Sequence, residues 1–467
     1  MRKWSIALAL SVAAIPAAAF AQPAGPAAAE KLHVDMQYFT LPNGLRVVLA
    51  KDQIAPTVTI ATYYGIGFRV EPRERTGFAH LFEHLMFQGS KHAPKGVFDK
   101  TVTNSGGINN GSTRFDFTNY YEVLPSSALE RMLWLEADRM ANPAIDQTVL
   151  ENQQGVVGNE VKVNVLNQPY STWPWIDLPM LANTNWYNSH NFYGDLKEIE
   201  AATVPDARSF FDAFYRPSNA VLVIAGDIDY AATRAMVEKY FGGIAKKPAV
   251  VQPDISEPRQ TAEKFRSRVD ALAPKPGYAA GYHVPTRGTP EWYAMGLIDQ
   301  ILLQGDDSRL YRKLVQEAGI AGEIGGGING DLGDMFDYRG PMLWSFSFTH
   351  DPTHSREQIT RAVDEVIEGI RTKPVTAAEL TRARTKMRSD LYGTIDSGGR
   401  IGLINLLAVY ALFDNDPQAI NRIEEGFAKV TPALIQKTAQ EYLRSTNRSI
   451  YVIEPGAAKA AGAQGGK

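Results

Sequence analysis

Three residues within five positions could carry chemistry in this chain. They are His80, Glu83 and His84, in the run Gly77-Phe78-Ala79-His80-Leu81-Phe82-Glu83-His84-Leu85-Met86. Every other residue of the run is apolar or small. Such a run predicts a helix lying in a core. At about 3.6 residues per turn, His80 and His84 stand one above the other and Glu83 falls on the same side. Burying two imidazoles and a carboxylate is costly unless something pairs with them. A divalent metal, zinc above all, satisfies two neutral imidazoles at this spacing. The carboxylate beside a ligand could then take a proton from the water that the metal activates. His makes up only 8 of 467 residues. A chance match to the pattern is therefore expected on the order of 0.01 times in such a chain.

The order His-x-x-Glu-His inverts the commoner His-Glu-x-x-His of zinc proteases. A catalytic zinc keeps three protein ligands and one open position, so a third ligand is required. The stretch from Asp146 to Val165 reads as a helix and offers Glu151 and Glu160. Glu160 lies beside Val156, Val157 and Val161. Spacing alone does not choose between the two.

These side chains need a scaffold. Leu41-Pro42-Asn43-Gly44-Leu45 reads as a hairpin turn with Asn-Gly at its tip. Leu45 to Ala50 and Thr57 to Tyr64 read as strands. Phe115, Phe117 and Tyr121 alternate as in a strand, and Ser126 or Ser127 could cap the helix that follows. Helices are predicted from Ala201 to Tyr215 and from Ala231 to Tyr240. A buried strand is predicted from Ala220 to Ala225.

Met1 to Ala21 reads as a secretory signal: Arg2 and Lys3, then an apolar run from Ile6 to Ile15, then Ala19-Phe20-Ala21 with cleavage after Ala21. No later stretch is apolar long enough to span a membrane. The chain has no Cys, so neither a disulfide nor a lipid-bearing Cys is available. Net charge is -3 without a basic block, which points away from nucleic acid. A Pro/Ala-rich leader covers 22–32. The Gly/Ala-rich tail, 456–467, reads as disordered.

The segment Gly77 to Gly89 resembles the active-site segment of the pitrilysin/insulinase family of inverted-motif zinc metallopeptidases, in particular its bacterial processing-peptidase-like subgroup. The resemblance implies a third zinc ligand at a Glu 76 residues past the second His, which is Glu160. Gly106 to Thr113 resembles the edge strand that pairs with substrate backbone, which implies Asn110 and Gly111 as substrate-binding residues. The usual Ala after the Asn is Gly111 here.

The pattern recurs after a Pro-rich linker, 246–262. Ala294 to Gly305 matches Phe78 to Gly89 in shape, and both end in Gln-Gly. That register sets Gly296, Asp299 and Gln300 against His80, Glu83 and His84, so the second copy has no metal site. Thr376-Ala377-Ala378-Glu379 reads as a capping box. Members of the family that work alone usually carry an Arg, and seven residues on a Tyr, after a Ser-Arg-Leu segment. Here Ser308-Arg309-Leu310 is present, but Val315 and Gly322 stand at those positions.

The expectation is an α+β chain of two homologous domains, each a mostly antiparallel sheet packed with helices, together forming a half-shell. Residues 33–245 form the catalytic zinc-binding domain and 263–455 the degenerate, substrate-facing copy. One Zn2+ per chain is held by His80, His84 and Glu160, with Glu83 as the catalytic acid-base. The resemblance implies an endopeptidase for unfolded peptides in the bacterial envelope, exported to the periplasm. Some bacterial relatives split the zinc motif and the Arg/Tyr pair between two chains. This implies a heterodimer with a homologous partner carrying that pair, or else a homodimer. Closing two half-shells would also cover the sheet face that each half presents. The rival is a non-catalytic peptide-binding or core subunit of a larger complex.

Overall fold

The computed structural model describes residues 31–456. The signal segment, residues 22–30 of the leader and residues 457–467 of the tail lie outside the described residues. The first sheet begins with a hairpin of β1 (Met36–Thr40) and β2 (Arg46–Lys51). The Gly44 N–H donates to the Leu41 carbonyl, so Pro42 and Asn43 are the central turn residues and Gly44 follows at φ 94°. The expected Asn-Gly tip is thus one residue out of place. A Gly in the left-handed region after a turn is the three-residue hairpin form. Asn43 instead donates to the carbonyls of Phe241 and Ile244, at 2.8 and 3.1 Å.

β3 (Thr57–Tyr64), β4 (Ile108–Thr113), β5 (Thr118–Pro125) and β6 (Ala220–Gly226) complete the sheet, in the order β1-β2-β6-β3-β5-β4. The second sheet is β7 (Lys264–Asp270), β8 (Gly277–His283), β9 (Gly325–Ile328), β10 (Leu343–Thr349) and β11 (Arg448–Pro455), in the order β7-β11-β8-β10-β9. In each sheet one parallel pair is followed by three antiparallel pairs: β2 with β6, then β3, β5 and β4; β7 with β11, then β8, β10 and β9. The fold is α+β and its two domains share this five-strand topology, with β1 added to the first. Residues 246–262 between them carry neither helix nor strand.

Several element ends differ from the sequence reading for local reasons. Thr203 and Asp206 make a capping box, so the helix runs Val204–Phe214 rather than from Ala201. Ser126–Ala128 form a short 3-10 turn into the helix Leu129–Ala141, with no side-chain cap. Ser126 Oγ donates to Asp227 instead. Thr376 accepts from the Glu379 N–H, but the Glu379 carboxylate grips Arg309 at 2.9 Å through both oxygens. Only half of that capping box exists.

The sheet faces are covered within the chain. The helix Ile401–Phe413 of the second half lies on β2, β3 and β6. Arg46 donates to its Ala411 and Leu412 carbonyls, and Tyr63 donates to Asn405. In return the helix Asp177–Ala182 of the first half lies on β7, β8 and β11. Trp173 Nε1 donates to the Tyr451 carbonyl at 3.0 Å. β6 is accordingly buried along its whole length, as its unbroken apolar sequence demands. This corrects the expectation that a second chain is needed to cover these faces. Among the described residues no single helix is long and apolar enough to cross a membrane.

Candidate metal centre

The His helix spans Phe78–Leu85 and packs against the helix Gln147–Glu160 and strands β4 and β5. Its apolar residues Phe78, Leu81, Phe82 and Leu85 are buried in the core of the first domain. Glu71, itself buried, anchors its start: its two carboxylate oxygens accept from the Gly77 and Ala79 N–H groups, at 2.9 and 2.6 Å. These are donors that no helical carbonyl can satisfy. Burial pushes Glu71 up to about 8. The Glu160 helix starts on Asp146, whose side chain accepts from the Val149 N–H. Past Glu160 the chain widens into a π turn, Val161–Leu166. Such turns often mark functional sites.

The two helices bring His80, His84 and Glu160 together, with ligand atoms all within 4.8 Å of one another. The His80 and His84 Nε2 atoms are 3.3 Å apart. Glu160 lies 3.5 Å from His80 Nε2 and 3.2 Å from His84 Nε2. A tetrahedral zinc with bonds of about 2.0–2.1 Å sets its ligands about 3.3–3.4 Å apart. The three side chains approach that spacing, with Glu160 facing His80 through Oε1 and His84 through Oε2. Two imidazoles and one carboxylate are also a donor set that zinc takes. Hydrogen bonds to His80 and then His84 hold the Glu160 carboxyl well below its ordinary range. Glu151, the other candidate, is exposed and accepts from Gln147. It belongs to no such cluster.

Glu83 lies on the same helix, half-buried, and its Oε2 accepts from Thr113 Oγ1 at 2.7 Å. Thr113 closes β4, the terminal strand of the first sheet. On that strand Gly111 passes so close to Glu83 that an added Cβ would sit 3.3 Å from its Cγ and 3.2 Å from the Phe87 ring. The Gly in place of Ala therefore leaves Glu83 and Phe87 room. Asn110 and Gly111 lie on this terminal strand, in register with Tyr121 and Tyr120 of β5, and the Gly111 N–H donates to Asn110 Oδ1.

Tyr193 packs its ring edge on His80, with centroids 5.0 Å apart. Burial, then the charges of Glu160 and Glu83, push its hydroxyl up to about 12. It stays protonated at neutral pH, a donor at the rim. Thr113, Tyr193 and Glu71 escaped the sequence reading. Each lies apart from the motif and matters only through the fold, although Thr113 stood at the end of a segment already singled out.

In the second domain the corresponding helix is Pro290–Leu302. An added Cβ at Gly296 would strike Met335. Asp299 accepts from Trp344 Nε1 at 2.7 Å and from Gln304, and Gln300 donates to Asp390. Burial pushes Asp299 up to about 7. Val315 lies in the π turn Arg312–Glu317, and Gly322 is exposed before β9.

A family model described as insulinase (peptidase family M16) matches residues 46–173. A second, described as peptidase M16 inactive domain, matches residues 201–387. The zinc protease PqqE of Helicobacter pylori is 24% identical over 427 residues, covering 89% of this chain and 92% of that protein. The crystal structure of a protease from Helicobacter pylori superposes with a TM-score of 0.83 at 22% identity, covering 90% of this chain and 100% of that one. The periplasmic protease PqqL from Escherichia coli superposes with a TM-score of 0.72 at 18% identity, covering 91% of this chain and 48% of that one.

Proposed function

We propose that this chain, which belongs to the M16 (insulinase) family of peptidases, is a zinc-dependent endopeptidase for unfolded peptides in the bacterial envelope. The observation that carries the reading is the triangle of His80, His84 and Glu160, with Glu83 on the same helix. Those three residues would hold one zinc. When bound, the metal polarises the scissile carbonyl and makes water a better nucleophile. Glu83 takes the proton of the attacking water and passes it to the leaving amine. Thr113 holds Glu83 in place for both transfers. The substrate backbone adds as a strand along Asn110 and Gly111, so main-chain bonds rather than side chains supply most of its affinity.

The signal-like residues Met1 to Ala21 support a periplasmic location. The PqqL neighbour, itself periplasmic, agrees with it. Val315 and Gly322 in place of Arg and Tyr support a heterodimer in which a homologous chain supplies that pair, with a homodimer as the fallback. With the sheet faces covered within the chain, this substitution is what carries the pairing argument.

A second reading, a non-catalytic peptide-binding or core subunit, draws on the inactive-domain description of residues 201–387. Zinc content and peptide digestion separate the two. The purified chain should hold one zinc and cleave a peptide library, alone or with a homologous Arg/Tyr-bearing chain. Metal-free protein that binds peptides without cleaving them would favour the second reading.

A further inference from the structure

The two sheets differ at one edge. In the first, β1 covers the outer side of β2, pairing antiparallel from Met36 against Ala50 to Thr40 against Arg46. Val47, Val48 and Leu49 of β2 are fully buried. The strand at the same place in the second sheet is β7, and there the sheet ends. Among the described residues, β11 on its inner side is the only segment that hydrogen-bonds to the β7 backbone from Lys264 to Val269. The side chains are exposed to match: Phe265 is 47% and Val269 63% exposed, and Leu272 just beyond is 54% exposed. An edge strand with open N–H and C=O groups and an apolar face is a template for a further strand.

Side chains alternate across a strand. Phe265, Ser267 and Val269 share one face, in register with Ile450, Val452 and Glu454 of β11. Lys264, Arg266 and Arg268 share the other. Lys264 Nζ donates to the Ala182 carbonyl and Arg268 Nε to Asp177. Arg266 is exposed and has no carboxylate partner among the described residues. Arg356, paired with Glu357, lies over the Phe265 ring, 4.1 Å from its centroid. The edge is thus apolar on one face and carries an uncompensated cation on the other. The chain's own segments fit it poorly. Two β7 strands paired antiparallel about Ser267 would set Arg266 against Arg268, and like charges directly opposite destabilise a sheet. Residues 457–467 contain no β-branched or aromatic residue and bring two more Lys.

We propose that the β7 edge docks an extended strand of another protein, one that alternates apolar and acidic residues and lies where β1 lies in the first sheet. Its apolar residues extend the face of Phe265 and Val269, and its carboxylates meet Arg266 on the other face. Main-chain hydrogen bonds hold the strand, and the alternation sets its register. β7 belongs to the second sheet, whereas β4 and the metal centre belong to the first domain. The inference therefore stands apart from the peptidase reading.

The test uses the full chain, treated with EDTA so that nothing is cleaved, and two short fluorescein-labelled peptides. Both alternate Val or Thr with a charged residue, Glu in one and Lys in the other. Fluorescence anisotropy at low salt should show the Glu peptide binding roughly tenfold tighter than the Lys peptide, a margin that shrinks as salt is added. Arg266→Glu, on an exposed side chain, should reverse the preference. Phe265→Ser should weaken both peptides roughly threefold or more. Equal binding of the two peptides, or a preference that Arg266→Glu leaves unchanged, overturns the proposal. Binding that appears only once residues 457–467 are removed assigns the edge to the chain's own tail, and a dimer of the full chain that Phe265→Ser dissolves assigns it to a second copy. Either result also overturns the proposal.

Discussion

Thr113 Oγ1 donates to Glu83 Oε2 across 2.7 Å, so the last residue of the edge strand steers the carboxylate proposed to move protons. A hydrogen bond to a charged group is worth about 1.5–3 kcal/mol. Thr113→Val should therefore lower kcat roughly 10- to 100-fold while zinc stays bound. Thr113→Ser should restore most of it. Steady-state kinetics beside metal analysis checks this. An unchanged kcat in the Val variant would remove Thr113 from the site.

Glu160 should prove the third ligand, and Glu151 should not. Glu160→Gln places a neutral amide in a dipositive site and should weaken zinc affinity sharply. Glu151→Gln, on an exposed side chain, should leave affinity within about threefold of the parent, as surface changes usually do. Competition with a zinc chelator reads both. Metal loss that follows Glu151 would overturn the assignment.

The motif was legible because its residues sit within one helix turn, where periodicity alone fixes their faces. The choice between Glu160 and Glu151 as the proposed third ligand was not legible from spacing, because only the approach of two helices separates them. The resemblance singled out Glu160, and the helix packing brings it to the two imidazoles. The repeat was legible from the matched apolar segments ending in Gln88-Gly89 and Gln304-Gly305. The exchange of helices between the domains was not. Nothing in the wholly apolar run Ile401–Phe413 says which sheet it covers, and that choice decides whether a sheet face stays open. Likewise Thr376-x-x-Glu379 reads as a capping box until Arg309, distant in sequence, claims the carboxylate.

Asp299 stands where the first domain has Glu83, and burial pushes it up to about 7. An acid whose pKa is raised in the folded state favours folding while protonated. That advantage is full below the unfolded value near 4 and is lost as pH rises through about 7. The metal-free chain should thus lose stability over this window. Asp299→Asn should flatten the loss by an amount on the order of a few kcal/mol. Urea unfolding at pH 4.5 and pH 7.5 measures it. A parallel pH dependence in the two proteins would show that Asp299 does not titrate in that window.

Full activity should require a second subunit. Val315 and Gly322 supply neither a cation nor a hydroxyl, and one donor to a developing oxyanion can be worth roughly 3 kcal/mol. A homologous chain with the Arg/Tyr pair and no zinc motif should raise the rate by roughly 100-fold or more when added. Full turnover by the lone chain, unaffected by that partner, would contradict the heterodimer. Activity that depends on self-association would favour the homodimer.

The most direct test compares the parent chain with Glu83→Gln, each assayed for zinc per chain and for cleavage of an unfolded peptide in the presence of the partner. The amide fills the same space but cannot accept the proton of the attacking water. Loss of a positioned acid-base group typically costs 100-fold or more in rate. The account predicts one zinc in both proteins and cleavage by the parent alone. Parent protein that binds no zinc, or a Glu83→Gln variant that turns over normally, would contradict it.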